Sequence, residues 1–411
     1  MSGMIATSPG ARKTISAESF MKAGLSFRSE TYRGVGGRRG AIKRALVTNT
    51  RLIGIAAAAI TARSASAQSA KWAIDPIPLV TLGTTGDGST AEFAFVTGAT
   101  LLPDRNFMVG DRSDYSMFIV SPAGKVLKKF ARNGSGPGEL KGAFFSWRCG
   151  QQVFVKENTG ATSVFALDGT FIRKFQFSSA ISKQGTYRSA CNQNGMFVHY
   201  GWYSDKDRTP GVPYRSRVPA WISKGDSSAG RLIATVKSSE RWEYTLQPLG
   251  RETMVAVGRD RVYVGEADNY EVKVFTLDGT PLQSITKTVK PVAVTKQDID
   301  DEVDRMMAMM GAQFRKGVEK EYATIPMPKT LPPYRELQVD SAQNLWVRDY
   351  ARSGPLNVIW TVFDPRGKQI TEIALPNALE VFEIGIDYIL GRYIDPNTGV
   401  PEVRLYRLVR K

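Results

Sequence analysis

The seven residues VFALDGT, Val164 to Thr170, recur as VFTLDGT at Val274 to Thr280 with six of seven identical. Looser copies are IVSPAGK, ending at Lys125, and VFDPRGK, ending at Lys368. Each joins an alternating apolar run to a glycine turn and the start of a second run, the pattern of a β-hairpin. One copy cannot bury its apolar face alone, so a chain that repeats it must stack similar units side by side. The hairpins are scaffold. Function is expected one turn earlier, in loops where the copies differ.

In register, the units hold four strands each. Strands are predicted at 93–103, 106–110, 115–120 and 126–131 in the first unit, and at 143–148, 152–156, 162–167 and 171–177 in the second. The third gives 186–192, 195–201, 218–222 and 231–236, with a long polar loop around Asp205 to Arg217. The fourth gives 253–258, 261–265, 270–276 and 281–286, and the fifth 334–339, 344–348, 357–363 and 369–374. The last supplies only 380–386, 388–393 and 402–409. Its outer strand has a donor in Ile77 to Leu82 (IPLVTL), an extended stretch without a hairpin partner. Such an exchange closes the array into a ring and leaves only short sheet edges. Units of about 45 residues are too long for the rungs of a linear β-solenoid.

One insertion separates the fourth and fifth units. Between Thr295 and Tyr322, the residues Ile299, Val303, Met306, Met307, Met310, Phe314 and Val318 follow helical spacing. Thr295 suits the cap position, and Asp298, Asp300, Asp301 and Glu302 suit the positive end of the helix dipole. A Met-rich stripe of this kind packs on its own domain or grips a partner.

The link ARNGSGPGEL, Ala131 to Leu140, has the glycines and proline of a tight crossover between sheets. With the VFxxDG hairpins and LQVDSAQNLWV (Leu337 to Val347), it carries a resemblance to secreted bacterial six-bladed β-propeller proteins of the NHL/TolB-like superfamily. The resemblance covers roughly residues 71–411. It implies an all-β fold, a six-bladed β-propeller, which the chain's own pattern makes closed by an N-terminal strand, with one helical insertion between blades 4 and 5. It also implies a ligand on one face near the central channel, where some six-bladed hydrolases hold calcium. It does not imply an activity.

Residues 1–67 read as a basic leader and signal peptide, and 68–411 as the propeller, with its helical insertion at about 295–322. Arg38, Arg39, Lys43, Arg44 and Arg51 precede an apolar run from Leu52 to Ala62 and the small-x-small signal Ala65-Ser66-Ala67. The run is too short to span a bilayer. GRRGAIK is a poor twin-arginine motif and points to the general secretory route. The formal charge of +16 lies largely here, since residues 1–67 carry +9 and the remainder +7. That modest remainder, with no basic–aromatic stripe, argues against nucleic acid. Export to the periplasm or exterior permits a disulfide, and Cys149 and Cys191 each stand just before an apolar strand, close to one repeat apart. A bridge or two buried thiols both fit.

Catalytic residues are few. His199 is the only histidine, which rules out multi-histidine metal sites, and its place in the strand MFVHYGWY suits a structural role. GSGPGE lacks the lysine and following helix of a phosphate loop. The register offers more. The position after each second strand holds Asp111, Glu157, Tyr200, Glu266, Asp349 and Arg392, with Arg112, Arg348 and Tyr350 beside them. These are the candidate ligand-binding residues. The carboxylates Asp111, Glu157, Glu266 and Asp349 suit a hard cation such as Ca²⁺, or they cap the turns that follow them. Trp202, Tyr203 and Trp221 suit stacking on a sugar or aromatic group, or ordinary packing. The expectation is an exported, monomeric, non-catalytic domain that binds a small molecule, glycan or peptide, needs no cofactor and has no transmembrane anchor in the mature chain. The alternative is a calcium-dependent hydrolase or lyase with a central acidic site.

Overall fold

A computed structural model of the chain describes residues 71–83, 90–142, 144–157, 160–176, 186–201, 204–224, 230–310, 312–352, 356–395 and 399–411. The leader read over 1–67 lies outside them, as do Trp202 and Tyr203.

Two short strands, β1 (Ala73–Ile74) and β2 (Val80–Leu82), come first. A sheet of β3 (Val96–Leu101), β4 (Phe107–Asp111), β5 (Ser116–Val120) and β6 (Val126–Phe130) follows, each strand paired with the next. The second sheet holds β7 (Phe144–Cys149), β8 (Gln152–Glu157), β9 (Ala161–Ala166) and β10 (Phe171–Gln176). The third holds β11 (Thr186–Cys191), β12 (Met196–Gly201), β13 (Arg217–Lys224) and β14 (Arg231–Lys237). After a small hairpin, β15 (Arg241–Trp242) and β16 (Thr245–Leu246), the fourth holds β17 (Met254–Val257), β18 (Arg261–Gly265), β19 (Glu271–Thr276) and β20 (Pro281–Thr286). Helices α1 (Lys296–Met310) and α2 (Arg315–Tyr322) intervene. The fifth sheet is β21 (Tyr334–Val339), β22 (Leu345–Asp349), β23 (Asn357–Phe363) and β24 (Gln369–Pro376). In the last, β25 (Leu379–Ile384), β26 (Tyr388–Ile394) and β27 (Pro401–Val409) are completed by β1 and β2, both paired with β27.

First strands of neighbouring sheets touch around the ring: β3 with β7, β11 with β17, β17 with β21, and β25 with β3. A disulfide joins β7 to β11, and Gln338 of β21 donates to the Val381 carbonyl of β25 at 2.7 Å. Packing is so close that a Cβ on Gly98 would lie 2.1 Å from the Ser146 carbonyl oxygen. The chain is a six-bladed β-propeller.

The repeated hairpins turn as their residues dictate. Gly169 and Gly279 take φ of +79° and +90°, which favours glycine, and Asp168 Oδ1 accepts the Thr170 N–H at 2.8 Å. Apolar side chains from neighbouring blades fill every gap between them. The smallest such cluster lies between blades 2 and 3, with only Cys149, Phe154, Val164 and Phe197 buried among the described residues. Cys149 and Cys191 are bridged across that same gap, their Cα atoms 5.8 Å apart.

Ring closure differs in detail from the expected strand over Ile77–Leu82. Only Val80–Leu82 pair there, opposite Leu405–Val403, and the earlier pairing is Ala73 and Ile74 with Val409 and Leu408. Pro76 and Pro78 lack the N–H a ladder needs, so the chain between bows outward and leaves Ile77 77% exposed. Trp72 and Leu82 anchor the two ends in the core. Deleting residues 71–82 is expected to cost about 4 kcal/mol from those two side chains. Urea unfolding of the deletion should become broad as well as early; an unchanged, sharp transition would show the segment to be dispensable.

The helices cover one another instead of offering a free stripe. Val303, Met307, Val318, Tyr322 and Ile325 form a small core against which Met306, Phe314 and Trp242 pack. Thr295 and Asp298 cap α1 reciprocally, the Thr295 N–H donating to Asp298 Oδ2 at 2.7 Å. Trp242 comes from the β15–β16 hairpin, which the sequence pattern did not reveal. No helix among the described residues is long and apolar enough to cross a membrane.

Candidate functional site

The residues after each second strand do share one register, and the structure gives most of them a common task. Asp111 is buried and accepts the N–H groups of Ala94 and Phe95 (2.7 and 3.1 Å), where the chain enters blade 1. Glu157 accepts the Lys141 N–H at 2.9 Å and pairs with Lys174 at 2.7 Å. Glu266 accepts the Lys237 N–H at 2.7 Å and pairs with Lys273 at 2.6 Å. Tyr200 and Arg392 work with opposite polarity, donating to the carbonyls of Thr253 (2.6 Å) and Val96 (2.7 Å) in the following blade. Asp349 binds Lys287 (3.0 Å) and the Tyr270 hydroxyl (2.6 Å) of the preceding blade. Burial, and then Asp349, raises the Tyr270 phenol well above its ordinary range.

These six are fasteners between crossovers and blades. Among the described residues, no group of three or more His, Cys, Asp or Glu is arranged to hold a metal ion. Arg112 lies over the Phe95 ring at 3.4 Å, with the Arg392 guanidinium 5.5 Å from the same ring. Burial, and then Arg392, lowers the Arg112 guanidinium to about 10. Arg348 donates to Asn377 Oδ1 at 2.8 Å, and Tyr350 stacks beneath Arg335 at 5.3 Å. The GSGPGE loop closes on its own acid, since the Gly136 N–H donates to Glu139 Oε2 at 2.8 Å.

A cavity of about 950 Å³ runs instead along the centre of the ring. Every innermost strand contributes to its wall, with Thr100, Trp147, Ala190, Ala256, Gln338 and Glu383 from the six blades in turn. Of the register residues only Glu157 touches it. Near the turns after the first strands, Glu383 accepts the Thr100 hydroxyl at 2.6 Å, the Leu101 N–H at 3.3 Å and the Tyr388 hydroxyl. Arg148 donates to the Leu101 carbonyl at 2.9 Å and the Gly150 carbonyl at 2.7 Å. The wall therefore presents fixed polar groups between apolar ones, as ligand cavities do.

Lys156 of β8 also lines it, and burial lowers its amine to about 8. A lysine sharing a strand face with Phe154 is the one sign of this in the sequence. His199 lies away from the wall, fully buried. Its ring is 5.7 Å from Phe197 and 5.5 Å from Trp221, and Nε2 is 3.2 Å from Ser223 Oγ. Burial, and then Lys156, lowers it to about 3. A neutral, enclosed imidazole is a packing residue, and Trp221 packs beside it.

No protein-family model matches the sequence, and no curated protein matches it either. Solved structures do. A DUF4221-family protein from Bacteroides vulgatus is similar at a TM-score of 0.49 and 11% identity, over 82% of this chain and 99% of its own. A Bacteroides fragilis protein described as exported gives 0.43 and 10%, over 84% and 96%. A gluconolactonase from Xanthomonas campestris gives 0.42 and 12%, over 77% and 87%. These likenesses concern fold.

Proposed function

We propose that the protein is an exported binding domain whose small-molecule, glycan or peptide ligand occupies the central channel. The observation that carries this is the cavity itself, about 950 Å³ and walled by all six blades. That volume matches sites that enclose a whole small ligand. The basic and apolar leader pattern supports export, and so does the disulfide. The register residues are spent on fastening, so the wall is the better candidate surface.

Ala190 is on that wall and only partly buried, so Ala190→Trp would fill the channel. The purified full chain is tested by saturation-transfer NMR against simple oligosaccharides, aromatic acids and dipeptides. At least one class is expected to bind, and Ala190→Trp should weaken it by at least about tenfold while the protein stays folded. Binding that survives the filled channel would place the ligand elsewhere.

A further inference from the structure

We infer that the ligand of the channel is an α-amino acid with an apolar side chain, its carboxylate held by Arg148 and its ammonium by Glu383, on either side of Thr100. This rests on the channel being the ligand site.

The innermost strands of the six blades end in register, and their penultimate residues form one level of the wall: Thr100, Arg148, Ala190, Ala256, Gln338 and Glu383. That level is lopsided. Blades 6, 1 and 2 give it a carboxylate, a hydroxyl and a guanidinium side by side. Across the ring, blade 3 faces blade 6 and blade 4 faces blade 1, and these two supply only alanines. Space for a ligand therefore lies opposite a fixed pair of charges. The Gln338 amide is spent on Glu336 and the Val381 carbonyl. One residue earlier in their strands, Ala99, Trp147, Val255, Leu337 and Phe382 make an adjoining apolar level for the ligand's side chain.

Leu101 shows the spacing. Glu383 Oε2 accepts its N–H at 3.3 Å, and Arg148 Nη1 donates to its carbonyl at 2.9 Å. The two side chains thus already grip the N–Cα–C=O unit of one residue, acid at the nitrogen and base at the oxygen. A free α-amino acid presents the same unit with full charges, an ammonium that donates and a carboxylate that accepts. Each hydrogen bond is then stronger than its neutral counterpart.

Both side chains have capacity left. An ionised carboxylate has about four acceptor sites. Glu383 fills three of them, with the Thr100 hydroxyl at 2.6 Å, the Leu101 N–H and the Tyr388 hydroxyl. Arg148 gives Nε to the Gly150 carbonyl at 2.7 Å and Nη1 to Leu101, and its Nη2 has no partner among the described residues. Neither is matched with an opposite charge among those residues, whereas Glu157, Glu380 and Asp340 of the same wall pair with Lys174, Arg392 and Arg410. A purely anionic ligand would be repelled by Glu383 and a purely cationic one by Arg148. A zwitterion answers both.

The test titrates the full chain with L-phenylalanine and with analogues that lack one charge or both: 3-phenylpropanoate, 2-phenylethylamine and 2-phenylethanol. Phenylalanine is expected to bind at least about tenfold more tightly than any of the three, and Ala190→Trp should abolish that binding. Arg148→Gln should weaken phenylalanine and 3-phenylpropanoate but spare 2-phenylethylamine. Glu383→Gln should weaken phenylalanine and 2-phenylethylamine but spare 3-phenylpropanoate. A merely structural role would weaken every compound alike. Should either variant not fold, the analogue series on the wild type still decides. Phenylalanine binding no better than its analogues overturns the inference, as do folded variants that weaken all compounds equally. If 2-phenylethanol or an oligosaccharide binds, Ala190→Trp abolishes it and phenylalanine gains nothing from its charges, the channel reading stands and this inference fails. If nothing engages the channel, both fail.

Discussion

Replacing Cys149 and Cys191 with serine is expected to destabilise the ring by about 4 kcal/mol. That is the loop-closure entropy of a bridge spanning 42 residues. The effect should be close to fully expressed, because among the described residues the gap between blades 2 and 3 has the smallest apolar cluster. Calorimetry should show a fall in Tm of several degrees. Reductant should reproduce the fall in the wild type and do nothing further to the variant. The single variant Cys149→Ser should lose as much as the double, since either removes the one bridge. Equal Tm values for wild type and double variant would mean that native contacts alone fasten this gap.

Acid should weaken the fold through His199, and the sign is set by burial. The folded imidazole is lowered to about 3 from an unfolded 6.5, so below pH 6.5 the unfolded chain takes up a proton that the folded chain refuses. Stability from this group is therefore complete above pH 6.5 and declines as pH falls toward 3. The slope is at most about 1.4 kcal/mol per pH unit, or about 3 kcal/mol by pH 4.5. Carboxylates add their own slopes, so the measurement is a difference. Urea unfolding of wild type and His199→Gln is compared from pH 7.5 to 4.5. Glutamine keeps a partner for Ser223 but does not titrate, and its curve should be flatter by that amount. Parallel curves would show that the ring is hydrated enough to protonate in place.

Strand positions were legible because period-two alternation and glycine turns are local signals. The second blade, read as 143–148, 152–156, 162–167 and 171–177, forms Phe144–Cys149, Gln152–Glu157, Ala161–Ala166 and Phe171–Gln176. The β15–β16 hairpin was not legible, since its strands have two residues each and no alternation to read. In the candidate site the register was readable but the partners were not. Sequence shows that Asp111, Glu157 and Glu266 are equivalent. It does not show that each faces a backbone N–H of the incoming crossover. The channel wall was hidden for a related reason: its residues come from six strands far apart in sequence, and only Lys156 on an apolar strand face marks it.

The pairing of β1 and β2 with β27 bears on how the protein is made. The residues synthesised first in the ring find their partners only when the last strand has emerged. Until then, blade 6 cannot form and Trp72 has no pocket beside Trp346. Blades 2 and 3 can meet much sooner, and their cysteines are available to bond while the rest of the chain is still arriving. A polypeptide cut short by even its final ten residues would keep its early blades and never complete the circle. Closure of the ring thus waits on β27.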